Sequence, residues 1–166
     1  MTTKQQKVSD EAFQRYHSYN SEWKKEYFDE FSGGFCVYHR QHKFSKTGDG
    51  GKAEKAVGIM LAKYNGKRVE FLPEGEKKGP DVRFDELTWD IKYIDNANVN
   101  TIRKYLLDAT KADNAIFYWN KNEKLNDLNN EIGRLLKGQI NNLPDIYYMG
   151  KNGILKLLWK KQRGLK

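Results

Sequence analysis

The chain has 166 residues, 30 of them Lys or Arg against 22 Asp or Glu, for a formal net charge of +8, and its length suits one domain with an appendage. A 38% hydrophobic and 13% aromatic share excludes a disordered basic tail, and the single cysteine, Cys36, excludes a disulfide framework or a CxxC-type zinc site. No run approaches the ~20 apolar residues of a membrane span, no signal peptide of the usual kind follows Met1, and the positive excess points to a polyanionic partner, nucleic acid first.

Residues 9–31 read as a helix, with Ser9 and Asp10 as caps and Phe13, Tyr16, Trp23, Tyr27 and Phe31 at spacings of one helical stripe. That stripe is expected to pack, not to stack on bases. Gly33-Gly34 ends it, and 35–38 reads as a short strand leading into His39, Arg40, Gln41, His42 and Lys43. The Gly-rich loop at 47–51 lacks the order of a P-loop and reads as a connector, dividing the chain into an N-terminal segment, 1–46, and a core unit, 47–166.

Beyond the loop, Ala53, Val57, Met60, Leu61 and Tyr64 make one apolar helix face stopped at Asn65-Gly66, and 68–72 is a strand closed by Pro73. Residues 81–85 and 87–94 alternate apolar with polar around Asp85-Glu86, which predicts a hairpin. A helix at 101–111, a buried-type strand at 115–119, a helix on Leu125, Leu128, Ile132, Leu135 and Leu136, and a closing hairpin at 146–149 and 154–159 complete the pattern. The fold class expected is α/β (α+β): a mixed central sheet flanked by helices.

Within the hairpin, residues two apart share a face, so Asp90 and Lys92 project together, opposite Trp89, Ile91 and Tyr93. Asp81, just after Gly79-Pro80, is placed to turn its carboxylate towards Asp90, and Glu54 sits beside the apolar face of its helix. Hard carboxylate oxygens suit Mg²⁺ or Mn²⁺, with Zn²⁺ a further option, and an ammonium beside them can orient water or neutralise a phosphoryl group. A surface ion pair, worth under ~1 kcal/mol, is the plainer account of Asp81, Asp90 and Lys92. A solvated helix edge is the plainer account of Glu54, and balance of Lys77 and Lys78 that of Glu70 and Glu74.

Pro80-Asp81, a nine-residue step to Asp90, and Asp90-Ile91-Lys92 resemble the motif of PD-(D/E)XK, or restriction-endonuclease-like, nucleases. The order of elements from Gly51 to Trp119 is similar to that family's αβββαβ core, here with an N-terminal helix and a C-terminal β-hairpin. The blocks at 54–61, 69–74, 79–81 and 89–92 also resemble nuclease domains at the C-termini of contact-dependent growth inhibition toxins and of phage head-morphogenesis proteins. The resemblance implies a metal-dependent toxin-type nuclease acting on RNA, often tRNA, or on DNA. It further implies action in the cytoplasm of a target bacterial cell and an acidic immunity protein as partner. Asp81, Asp90 and Glu54 are then the metal-site acids and Lys92 the water-orienting cation, with Lys52, Arg103, Lys104, Arg40 and Lys43 as phosphate contacts. The basic tail, Lys160, Lys161, Arg163 and Lys166, either follows a phosphate backbone or is solvated.

Two alternatives stand beside this one. His39 and His42 could act as base and acid on an RNA 2′-OH without a metal, as in barnase and colicin-type RNases. A noncatalytic nucleic-acid-binding module would use the charge alone.

Overall fold

Where one long helix is predicted over 9–31, the chain forms two elements. The computed structural model describes residues 3–44, 50–75, 79–121 and 123–161. Helix α1 (Thr3–His17) stops at Ser18, and Trp23–Phe28 is strand β1, antiparallel to β2 (Phe35–His39). The aromatic spacing misleads because the register shifts between Lys25 and Tyr27, so a bulge hides the two-residue alternation of a strand.

Then follow α2 (Gly50–Asn65), β3 (Arg68–Phe71), β4 (Val82–Phe84), β5 (Leu87–Tyr93), α3 (Val99–Asp108) with a 3-10 turn at Ala109–Lys111, and β6 (Asn114–Tyr118). The end of the chain supplies α4 (Glu123–Lys137), β7 (Asp145–Met149) and β8 (Leu155–Trp159). From α2 to β6 the order is the expected αβββαβ. Residues 47–49 of the Gly-rich loop, Lys77, Lys78, Arg163 and Lys166 lie outside the described residues.

Among the described residues the strands form one eight-stranded sheet in the order β1 to β8. It is mixed: β2/β3, β5/β6 and β6/β7 are parallel, and the other neighbours antiparallel. Each parallel pair needs a crossover, and α2, α3 and α4 supply the three. The β4–β5 turn is two residues, Asp85 and Glu86, with φ of 54° and 63°, the left-handed backbone that tight hairpins demand.

Helix α2 lays Ala53, Val57 and Leu61 on one face of the sheet, against Cys36, Val69, Phe71, Val82, Phe84, Trp89 and Ile91. Gly58 lets it approach: a Cβ there would stand 2.6 Å from the Phe71 ring and 3.0 Å from Cys36 Sγ. On the opposite face α3 and α4 bury Ile102, Leu106, Leu128 and Ile132 over Ala115, Phe117 and Ile146. Tyr16 of α1 packs with Phe35 and Val37, which alternate with the α2-facing Cys36 and therefore belong to that second face. Each fully buried large side chain stabilises the fold by roughly 1.5–3 kcal/mol. The sheet is thus covered by α2 on one side and by α1, α3 and α4 on the other.

Candidate functional site

Strand pairing brings the hairpin carboxylates together. Asp81 immediately precedes β4, where the ladder with β5 reaches Val82↔Trp89, and it lies near enough to Asp90 for the two charges to act on each other. Pro80 has no N–H to extend the β4 ladder, and beyond Asp81 a side chain takes over: the Asp81 backbone N–H donates to Trp89 O at 3.0 Å, while its Oδ2 accepts the Ile91 N–H at 2.8 Å. The carboxylate is thereby fixed to the partner strand.

Asp90 lies between Trp89 and Ile91, both of which face α2, so it faces the α3 side with Lys92. It is 0% exposed, and neither carboxylate oxygen has a well-formed hydrogen bond among the described residues. Two ammonium groups meet it: Lys111 Nζ stands 3.3 Å and Lys92 Nζ 3.6 Å from Oδ2. The Lys92 ammonium also lies 5.2 Å from the ring centroid of Tyr105 on α3. Burial, with the charge of Asp81 nearby, pushes the Asp90 carboxyl up to about 6 against the pull of both lysines. Burial and the charge of Glu54 raise Asp81 likewise, against the Ile91 N–H and the two lysines.

Glu54 reaches this end of the sheet from α2 and is buried. Its Oε1 lies 3.1 Å from His42 Nε2, and His42 Nδ1 lies 2.7 Å from the Leu72 carbonyl oxygen. Both partners are acceptors when Glu54 is ionised, an arrangement that favours a ring protonated on both nitrogens. Burial opposes that charge, but the Glu54 carboxylate, the Leu72 carbonyl and the charge of Asp81 outweigh it and raise the His42 pKa. His42 thus positions Glu54. His39 belongs elsewhere: its Nε2 meets Glu22 at 3.2 Å, its Nδ1 accepts the Gln41 N–H at 3.1 Å, and its ring abuts Trp23. His42 packs instead on Phe44 and Phe71, so the two imidazoles stand in different clusters.

The basic residues are scattered. Lys52, Lys104 and Lys43 are exposed, and Arg40 donates to Glu22 at 3.1 Å. Arg103 is bound up in structure: its Nε donates to buried Glu131 at 2.9 Å, clamping α3 to α4. Lys111 escapes sequence reasoning because nothing in its spacing reveals that the turn after α3 aims it at Asp90.

As a cation site, Asp81 and Asp90 offer hard oxygens. Among the described residues no three His, Cys, Asp or Glu side chains gather closely enough to enclose a metal ion by themselves. Mg²⁺ and Mn²⁺ fit such a site, since Mg²⁺ keeps several waters and needs only one or two carboxylates. Zn²⁺ fits poorly, because it favours four N or S ligands and both nitrogens of His42 are engaged.

No family model and no curated protein match the chain. Among solved structures it is similar to a CdiA-CT/CdiI toxin and immunity complex from Burkholderia pseudomallei, with 17% sequence identity and a TM-score of 0.49 over 72% of this chain and 95% of that one.

Proposed function

We propose that the protein is a Mg²⁺- or Mn²⁺-dependent nuclease that hydrolyses phosphodiester bonds. The observation that carries this reading is Asp90, a wholly buried carboxylate with no well-formed hydrogen bond, set near the charge of a second carboxylate, Asp81, and against two ammonium groups. Burying a charge this way is costly unless something compensates it. A divalent cation held by Asp81 and Asp90 would do so, and when bound it polarises the phosphate and lowers the pKa of a coordinated water.

The rest is the work of the chain's own side chains. Lys92, on the face and strand of Asp90, orients the attacking water. Lys111, the nearer cation, neutralises charge that builds on the phosphoryl oxygens. Glu54, held by the His42 imidazolium beside Asp81, accepts a proton from the water as the new P–O bond forms and the old one breaks. The net charge of +8 supports a polyanionic substrate.

The motif resemblance extends the proposal to a toxin-type effector that acts on RNA or DNA in the cytoplasm of a target cell and is neutralised by an acidic immunity protein. Helices of the described residues include none long and apolar enough to cross a membrane. The direct test is incubation of tRNA and plasmid DNA with Mg²⁺, Mn²⁺ or EDTA. Cleavage is expected with either metal and is lost in EDTA and in Asp81→Asn and Asp90→Asn. Full cleavage in EDTA, or by Asp90→Asn, overturns the reading.

A further inference from the structure

On the α1 side of β3 and β4 lies a cleft of about 370 Å³ that the chemistry above does not use. Its size falls within the ~300–1,000 Å³ typical of small-ligand sites. Arg15 and Tyr19 line it from the end of α1 and just beyond, and Arg68, Glu70 and Arg83 from the strands. Its polar groups are set by one another. Glu70 Oε1 accepts from Arg83 Nε at 2.9 Å and Glu70 Oε2 from the Tyr19 hydroxyl at 2.7 Å, while Arg68 forks onto Glu11 at 3.2 and 2.7 Å.

The charges balance: Arg15, Arg68 and Arg83 are offset by Glu70 and by Asp85 and Glu86 of the hairpin turn. A phosphate group or an acidic protein surface would meet as much repulsion as attraction there. A neutral, planar ligand with donors and acceptors on its edge meets complementary partners. Location narrows the ligand further. Arg83 follows Asp81 by two residues, so the cleft begins within about 7 Å of the Asp81 backbone.

We propose that the cleft holds one unpaired nucleobase of the strand whose phosphate lies at Asp81 and Asp90, a step that rests on the nuclease reading. Guanine is the best match. Its N7 and O6 are adjacent acceptors that an arginine fork engages, and its N2 amino group donates to a carboxylate. Tyr19 supplies an aromatic wall, as in pockets that read splayed-out single-stranded bases. The substrate class is therefore a single-stranded loop or end containing guanine.

The test titrates the full chain, in EDTA, with guanosine, adenosine, cytidine and uridine monophosphates and with inorganic phosphate, by calorimetry or NMR. Guanosine monophosphate is expected to bind at least about tenfold more tightly than the other ligands, and Arg83→Ala to remove about that factor. Arg83 is half exposed, and Arg15→Ala, at an exposed helix position, is a second variant expected to weaken the same complex. With Mg²⁺, a set of single-stranded oligonucleotides differing at one base should be cut fastest beside guanine, a preference that Arg83→Ala flattens. Equal affinity for inorganic phosphate, no binding of any nucleotide, or unchanged affinity in both variants overturns the base pocket. Cleavage without base preference and without nucleotide binding overturns the pocket and leaves the nuclease intact. Nucleotide binding with no cleavage under any metal overturns the nuclease reading instead.

Discussion

Lys111 Nζ approaches Asp90 Oδ2 to 3.3 Å, closer than Lys92 at 3.6 Å on the same strand as the acid. The nearer cation thus comes from 21 residues away, through the turn that ends α3. Because Asp90 is wholly buried, Lys111 holds down a pKa that burial drives up. Lys111→Ala should therefore raise that pKa further and destabilise the protein by about 1–3 kcal/mol near neutral pH. The gap should close as acid protonates Asp90. Urea unfolding of both proteins at about pH 7.5 and about pH 5 checks it; a gap of equal size at both pH values would show that Lys111 acts by packing alone.

The raised carboxyls also set how the metal-free protein responds to pH. A carboxyl raised from 3.8 to about 6 is more costly to ionise folded than unfolded, so its contribution to stability is greatest in acid and falls as pH rises from about 4 through 6. The loss for Asp90 is on the order of 3 kcal/mol at neutral pH, and Asp81 is displaced in the same direction. The proposed cation, held by Asp81 and Asp90, would replace the lost protons. Thermal unfolding with Mg²⁺ and with EDTA should show a larger metal-dependent shift at about pH 7.5 than at about pH 5.5, where protons compete. Equal shifts at the two pH values would mean that Mg²⁺ binds elsewhere.

His42 should show the opposite sign. Its raised pKa means that the imidazolium stabilises the fold fully below about pH 6.5 and ceases to do so as pH rises through the folded value. His42→Ala leaves Glu54 buried without this donor and opens a gap against Phe44 and Phe71. A stability loss of roughly 2–4 kcal/mol follows. Denaturation of the two proteins at about pH 6 and about pH 8.5 should show the difference shrinking in alkali. A difference that grows in alkali would mean that the ring is neutral in the fold.

Much of this arrangement is written in local pattern. The α2 stripe, the alternation on either side of Asp85-Glu86 and the apolar run of β6 each declare their element, and the hairpin then brings Asp81 near Asp90. Three things are not local. The bulge at Lys25/Tyr27 lets β1 pass for a continuation of the first helix. The bonds of His42 to Glu54 and Leu72 span 12 and 30 residues, and no spacing rule reaches that far. Arg103 has the composition of a phosphate contact, yet its Nε is taken by Glu131, a partner that only the packing of α3 on α4 supplies.

Gly58 links the packing of α2 to the chemistry. It lies one helical turn after Glu54, with the Phe71 ring and Cys36 Sγ where its Cβ would be. Gly58→Ala gains helix propensity worth up to about 1 kcal/mol, yet forces the helix off the sheet or Phe71 out of its rotamer, at a cost of about 1–3 kcal/mol. The steric term wins because Phe71 and Cys36 are both fully buried and have nowhere to move. A shift of α2 carries Glu54 with it and stretches its 3.1 Å contact to His42, so the proposed nuclease activity should fall by more than the lost stability explains. Activity assayed well below the variant's unfolding temperature, where both proteins are fully folded, separates the two effects. Wild-type activity in a stable Gly58→Ala protein would show that the α2–sheet distance does not control the position of Glu54.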